Sequence, residues 1–159
     1  MIRTVGALVG AFDRADALAR GYETRLDEAR RAAAVLSRRP RVFFEEWDDP
    51  LISGIGWVSE LVETAGGVDI FPEKARQAAG KDRIVSQQEV IDRQPEIIIG
   101  SWCGKKFRPE KVAARPGFAD VPAVREGRLF EIKSSIILQP GPAALTDGLE
   151  AIRRIIRAG

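Results

Sequence analysis

The sequence predicts an α/β fold: a three-layer, Rossmann-like lobe with a mostly parallel sheet, preceded by a long connecting α-helix. Two observations lead to this prediction. Up to Pro40, apolar residues recur at steps of three and four, which is typical of one face of a helix. After Pro40, short apolar runs alternate with helical segments, and this alternation indicates a parallel sheet with helices on its faces.

The long helix is the first element. Asp13 and Asp16 resemble an N-terminal cap, so we expect a break near residues 10–13. From Arg14 to Ser37 the helix would be about 36 Å long at 1.5 Å per residue, which indicates a spine or connector. Its apolar stripe consists of Leu8, Phe12, Ala15, Ala19, Tyr22, Leu26, Ala29, Ala33 and Leu36.

The other elements follow Pro40 in order. Strands are predicted at residues 41–47, 68–71, 96–100 and 128–132, and loops at 72–82 and 133–141. Helices are predicted at 55–65, 86–93 and 110–114, with a further turn at 121–124 and a final helix that carries Leu145 to Ile156. We expect Gly66 to end the first of these helices in the left-handed conformation. Ser86 and Glu89 should form a capping box, and Pro109 should be a first helical residue.

The composition fits one folded domain and excludes several classes of function. Hydrophobic residues are 45% of the 159 residues, enough for one core without disulfides. The 25 Lys and Arg are interleaved with 23 Asp and Glu, which argues against a nucleic acid partner. The chain has no histidine and one cysteine, so Ser-His-Asp catalysis, His-ligated zinc and an intrachain disulfide are excluded. No apolar run reaches the ~18 residues of a membrane span.

Three predicted loops lie where open parallel sheets bind ligands, beyond the carboxyl ends of the strands. They are residues 47–54, 101–107 and 133–141. Trp47 is equally compatible with a core position and with a ligand contact. For Trp102, a ligand or interface contact is favoured. Lys105 and Lys106 fit either a solvated pair or contacts to carboxylate or phosphate. Cys103 is interpreted as a small buried residue.

A group of carboxylates at the first of these loops invites a magnesium or calcium site. The residues are Glu45, Glu46, Asp48 and Asp49. Glu45 and Glu46 are neighbours on a strand and therefore point to opposite faces. The four carboxylates are not expected to converge, and no metal site is predicted. Glycine-rich phosphate loops are also absent from the sequence.

Several segments occur in an order that is typical of one family. The long helix is followed by Pro-Arg-Val-Phe-Phe-Glu-Glu-Trp at 40–47, and then by characteristic runs at 58–71, 85–99, 121–129 and 140–142. This order resembles the helical-backbone (class III) periplasmic solute-binding proteins of ABC importers. The cobalamin-binding and ferric-siderophore-binding types are the most similar.

The resemblance implies two α/β lobes joined by a rigid helix, with the ligand held between them. The match begins in the connecting helix, so residues 1–39 are expected to be the interlobe connector and 40–159 the C-terminal lobe. The N-terminal lobe and the export signal are expected to be missing. The family implies a periplasmic or extracytoplasmic location, while the chain as it stands would be cytoplasmic. The implied partners are an ABC permease, a small metal chelate, and a missing lobe or a second copy of the chain.

The resemblance also implies roles for particular residues. An acidic residue that docks against permease arginines corresponds to Glu60 or Glu63. No catalytic residue and no intrinsic cofactor are implied, although cobalamin or another metal chelate would be bound. The residues expected at the ligand are Trp47, Asp48, Trp102, Lys105, Lys106, Phe107 and Gln139.

Two other functions stay open at this point. The first is a small Mg²⁺-dependent α/β hydrolase that uses Asp48 or Asp49. The second is an interaction module in which the long helix mediates self-association.

Overall fold

The computed structural model describes residues 1–158. Its N-terminal part is a hairpin of two helices, α1 (Ile2–Leu8) and α2 (Phe12–Ala34). The break between them lies where the sequence predicts it, but α2 ends at Ala34 and not at Ser37. The two helices pack closely because Gly6 has no side chain, and a Cβ atom there would collide with Ala15. At ~1.5 Å per residue, α2 is about 35 Å long.

The strands are β1 (Arg41–Asp48), β2 (Leu51–Ser53), β3 (Val68–Asp69), β4 (Ile97–Gly100) and β5 (Leu129–Glu131). They form one mixed sheet in the order β2-β1-β4-β5, with β3 also beside β1. Strand β2 is antiparallel to β1, and every other pairing is parallel. The prediction of a mostly parallel sheet is therefore confirmed. The edge strand β2 was not predicted, because a three-residue strand is too short to show alternation.

Seven further helices occur within residues 1–158. They are α3 (Gly56–Ala65), α4 (Pro72–Ala75), α5 (Gln87–Arg93), α6 (Pro109–Ala113), α7 (Pro122–Arg125), α8 (Ser134–Ile137) and α9 (Leu149–Arg157). Short 3-10 turns occur at Gly80–Arg83 and Phe118–Asp120, and a π turn at Ala144–Gly148 precedes α9. The segments predicted as loops at 72–82 and 133–141 thus contain α4 and α8, which are single turns without a readable period.

Three of the predicted start and stop signals agree with the structure, but the predicted cap at Asp13 and Asp16 is wrong. The N-cap of α2 is Ala11, without a side-chain hydrogen bond, and both acids lie inside the helix. Gly66 ends α3 with φ of 100°, a left-handed conformation. Ser86 and Glu89 form both hydrogen bonds of a capping box at α5. Pro109 is the first residue of α6.

Two apolar cores lie on opposite faces of the sheet, because successive strand side chains alternate. Phe44 belongs to the core covered by α2, α3 and α9. Phe43 belongs to the core covered by the segments from α4 to α7. This confirms the three-layer architecture. No helix within residues 1–158 combines the length and the apolar character that crossing a membrane requires.

Candidate functional site

The predicted ligand loops meet at one edge of the sheet. Strands β1, β4 and β5 are parallel, so the segments that follow them leave the sheet at the same end. Trp47 and Asp48 end β1, Trp102 and Lys105 follow β4, and Lys133 follows β5. The sheet topology therefore brings together side chains that are far apart in sequence.

Lys105 connects the first two loops. Its Nζ lies 2.9 Å from Oδ1 of Asp48 and 4.0 Å from the centroid of the Trp47 ring. Trp47 in turn donates from Nε1 to the backbone oxygen of Asp49 at 2.9 Å. The ammonium group of Lys105 is thus engaged by an ion pair and a cation–π contact. Trp47 itself is only half-buried and offers part of its ring to the surface.

Trp102 is buried and held by a hydrogen bond to a buried carboxylate. It is 4% exposed, and its Nε1 donates to Oε1 of Glu45 at 2.8 Å. Glu45 is fully buried and accepts two hydrogen bonds from Arg115, at 2.6 and 2.7 Å. Sequence reasoning missed both Glu45 and Arg115 as parts of this site. The sequence did contain a signal for Glu45. It lies two positions after Phe43 and therefore on the same buried face of the strand, where a carboxylate needs a basic partner.

Phe107 packs behind Trp102 and does not face the loop surface. It is 2% exposed, and its ring lies 5.1 Å from the Trp102 ring in an edge-on arrangement. The ring occupies the space above Gly100, where any Cβ atom would collide with it. Phe107 was predicted to contact the ligand, but in the structure it is buried and supports the ring of Trp102.

A cavity of about 540 Å³ opens between the loop after β4 and α8. Its lining residues are Trp102, Gly104, Lys105, Lys106, Glu131, Ile132, Lys133, Ser134 and Ser135. Gln139, also predicted at the ligand, is exposed and lies beyond α8, outside this lining. Lys133 was not predicted as a site residue, although it is the first residue of a predicted ligand loop.

The interpretation of Cys103 as a buried residue is wrong, because its side chain is exposed. The chain makes a tight turn in which the N–H of Lys105 donates to the oxygen of Trp102 at 3.3 Å. Gly104 has φ of 71° within this turn. The turn directs residue 103 outwards while Trp102 points into the core.

The carboxylates near the first loop are held apart by basic partners. Glu45 binds Arg115, and Glu46 binds Arg83 at 2.6 and 3.0 Å. The carboxylate of Asp48 binds Lys105. Within the described residues 1–158, no cluster of three or more His, Cys, Asp or Glu could hold a metal ion. The arrangement offers no support for hydrolysis at Asp48.

The two predicted docking acids differ in their surroundings. Glu63 binds the guanidinium of Arg39 and accepts the backbone N–H of Asp69 at 3.0 Å. Glu60 is exposed, and its carboxylate has no hydrogen bond or ion pair with any of residues 1–158. Both line a groove of about 920 Å³ between the α1–α2 hairpin, α3 and residues 140–145.

The fold defines a class of protein: an α/β unit preceded by a long helix, with three loops gathered at one edge of a mostly parallel sheet. The sequence profile of the family described as periplasmic binding protein matches residues 1–136. The chain belongs to this family, whose members bind substrates and are not enzymes. The resemblance to solute-binding proteins of ABC importers is confirmed. No curated protein matches the chain.

Solved structures of solute-binding proteins share the fold. One is a possible iron-binding protein from Staphylococcus epidermidis ATCC 12228, with 21% identity over 98% of this chain and a TM-score of 0.81. The heme-binding protein RhuT from Roseiflexus sp. RS-1 has 25% identity over 98% of this chain and a TM-score of 0.75. The vitamin B12-binding protein BtuF of Vibrio cholerae has 23% identity over 94% of this chain and a TM-score of 0.65. The chain spans 59%, 61% and 55% of the lengths of these proteins, respectively.

Proposed function

We propose that this chain is the C-terminal ligand-binding lobe of the solute-binding component of an ABC importer, and that the solute is a metal chelate such as cobalamin or a ferric siderophore. The observation that carries the proposal is a lysine-lined cavity at the carboxyl edge of the sheet, formed by the loops that follow β4 and β5. The loop that follows β1 adjoins it through the contact of Asp48 with Lys105. The names of the similar proteins, which refer to iron, heme and vitamin B12, support a metal chelate.

The side chains at this edge have distinct roles in the proposal. Trp47, which is half-buried beside the cavity, offers part of its ring to a large ligand, and Trp102 contributes the little of its ring that is exposed to the lining. Lys105, with Asp48 as its partner, keeps the two tryptophan loops together. Lys106 and Gln139, both exposed, supply polar contacts at the rim. Phe107 contributes only by supporting Trp102.

In this proposal residues 1–39 are the connector between the lobes and residues 40–159 are the C-terminal lobe. Gly159 lies outside the described residues. A ligand held between two lobes needs a second wall, supplied by an N-terminal lobe or by a second copy of the chain. The α1–α2 hairpin offers a surface for such a partner, because large apolar side chains there are 49–93% exposed. They are Met1, Val5, Leu8, Val9, Phe12 and Leu18.

The importer's permease is the proposed macromolecular partner, and the proposed location is extracytoplasmic. We assign docking to Glu60 in preference to Glu63, since the carboxylate of Glu63 is already engaged by Arg39 and Asp69. Glu60→Gln should weaken binding to the reconstituted permease without loss of stability. Glu110→Gln, an exposed position on α6, is the matched control. Equal binding by Glu60→Gln and the wild type would contradict the assignment.

Titration of the chain with cyanocobalamin, iron protoporphyrin IX and ferric siderophores tests the ligand class. Tryptophan fluorescence is the signal, because two of the three tryptophans lie at the proposed site. Trp47→Phe should reduce the quenching amplitude. Trp57→Phe is the control, since Trp57 lies on α3, donates to the backbone oxygen of Ile137 and is not among the residues that line the cavity. The ligand class is wrong if none of these chelates quenches the fluorescence. Light scattering on the same samples distinguishes a monomer from a self-associating module.

A further inference from the structure

We propose that the cavity beside Trp102 is a subsite for anionic oxygens, and that the ligand is therefore a chelate with free carboxylates and not a neutral corrinoid. This inference rests on the proposed binding function and limits the ligand from metal chelates in general to chelates with free carboxylates. It depends on two lysines from different loops, Lys106 and Lys133, which both line the cavity.

The charge of the cavity is positive after its internal partners are counted. Its ionisable lining residues are Lys105, Lys106, Lys133 and Glu131. Lys105 is neutralised by Asp48, with 2.9 Å between Nζ and Oδ1. Glu131 accepts the backbone N–H of Phe107 at 3.2 Å and forms no ion pair with any other residue of 1–158. Lys106 and Lys133 likewise have no ion-pair partner in that range, so two ammonium groups face the cavity against one carboxylate.

Additional hydrogen-bond donors surround the same space. Ser134 and Ser135 follow Lys133 directly and line the cavity with it. Gly104 contributes a wall without a side chain, so a ligand can approach the backbone of the loop there. Trp102 and Ile132 contribute the apolar part of the lining. The cavity thus fits a ligand with an apolar or aromatic body and anionic arms.

The preference for an anionic ligand follows from charge. Lys106 and Lys133 are exposed and unpaired within residues 1–158, so a carboxylate in the cavity can form charge-assisted hydrogen bonds with them. A neutral ligand of the same size offers the two ammonium groups no counter-charge and gains no such bonds. The lysines also raise the association rate of an anion, and this effect weakens with salt.

The test compares two forms of one ligand. Iron protoporphyrin IX has two free carboxylates, and its dimethyl ester has the same ring without them. Fluorescence quenching should show affinity at least about tenfold higher for the acid than for the ester, with cyanocobalamin as weak as the ester. Lys106→Met combined with Lys133→Met should remove this difference by weakening the acid alone. Lys111→Met, on the surface of α6 and outside the cavity, should leave it unchanged.

Two results would overturn the subsite: equal affinity for acid and ester in the wild type, or unchanged affinity for the acid in the double variant.

A second probe keeps the subsite testable if no chelate binds. Citrate should shift the backbone amide resonances of Lys106, Lys133 and Ser134 in the wild type and not in the double variant. If citrate shifts them while every chelate fails, the proposed importer ligand is wrong and the anion subsite stands. If citrate causes no shift, the subsite is wrong.

Discussion

The indole Nε1 of Trp102 donates to the Oε1 of Glu45 across 2.8 Å, although the two residues are 57 positions apart. Glu45 is fully buried in β1 and Trp102 is the second residue after β4. Arg115 completes the arrangement with a two-pronged contact to the same carboxylate. The buried ion pair therefore determines how the tryptophan sits in the loop, and it connects the site to the segment after α6.

Removal of one partner of this ion pair should be strongly destabilising. Arg115→Met leaves the carboxylate of Glu45 buried without its cation, so the free energy of unfolding should fall by about 3–5 kcal/mol. Urea denaturation followed by circular dichroism measures this change. The double variant Glu45→Gln with Arg115→Met should recover part of the loss, because the uncompensated charge is then gone. A loss below about 0.5 kcal/mol in Arg115→Met would contradict the role of the pair.

Gly100 should tolerate no side chain. A Cβ atom at this position would collide with the ring of Phe107, so Gly100→Ala should cost about 1–3 kcal/mol or more and displace the neighbouring Trp102. Thermal denaturation measures the cost, and the tryptophan emission reports the displacement. Gly141→Ala is the matched control, because no atom lies within 4 Å of a Cβ there. Equal losses of thermal stability in Gly100→Ala and Gly141→Ala would contradict the close contact between Gly100 and Phe107.

The contact between Lys105 and Trp47 should be visible in fluorescence more than in stability. Lys105→Met removes both the cation over the ring and the ion pair with Asp48. Because the pair is half-exposed, the loss of stability should stay below about 1 kcal/mol. The emission of Trp47 should change, measured in a variant that carries Trp57→Phe. Lys106→Met should leave the spectrum unaltered, and an identical change in both lysine variants would contradict the specific contact.

The capping box of α5 should give a measurable dependence of stability on pH. The backbone N–H and the hydroxyl of Ser86 hold the pKa of Glu89 below its ordinary value. The contribution of Glu89 is therefore present above the ordinary glutamate pKa of about 4.3 and is lost as the pH falls through the lower pKa of the folded state. Glu89→Gln keeps a side chain that can cap the helix, so it should flatten this acid-side loss.

Ser86→Ala tests the other half of the box. It removes the hydroxyl that accepts the N–H of Glu89 and should cost about 1 kcal/mol at neutral pH. Urea denaturation at pH 7 and at pH 3 separates the two effects. If Glu89→Gln shows the same acid-side loss as the wild type, other carboxylates cause it.

Much of the fold was readable from local patterns, and the failures have a common cause. The strands around Phe43 and Ile98 and the caps at Gly66 and Ser86 depend on neighbouring residues, so periodicity and turn chemistry predict them. The elements β2, α4 and α8 contain three or four residues each, which is too short for any period to show. Their form depends on the packing around them.

The candidate site divides in the same way. Trp102 and Lys105 were predicted because aromatic and basic side chains in a loop after a buried strand are unusual. Glu45, Arg115 and Lys133 were not, since the importance of each depends on a partner from another part of the chain. Arg115, for example, lies 70 positions from the carboxylate that it binds.

The amino-acid sequence by itself determined the fold class, the family and the edge of the sheet where the loops gather, because these follow from local periodicity and from strands that run parallel. Only the tertiary structure decided which loop side chains are available to a ligand. It buries Phe107 behind Trp102, exposes Cys103 and places Lys133 and Lys106 in the lining of one cavity. The physical reason is that burial and charge compensation depend on contacts between distant segments, which no local pattern records.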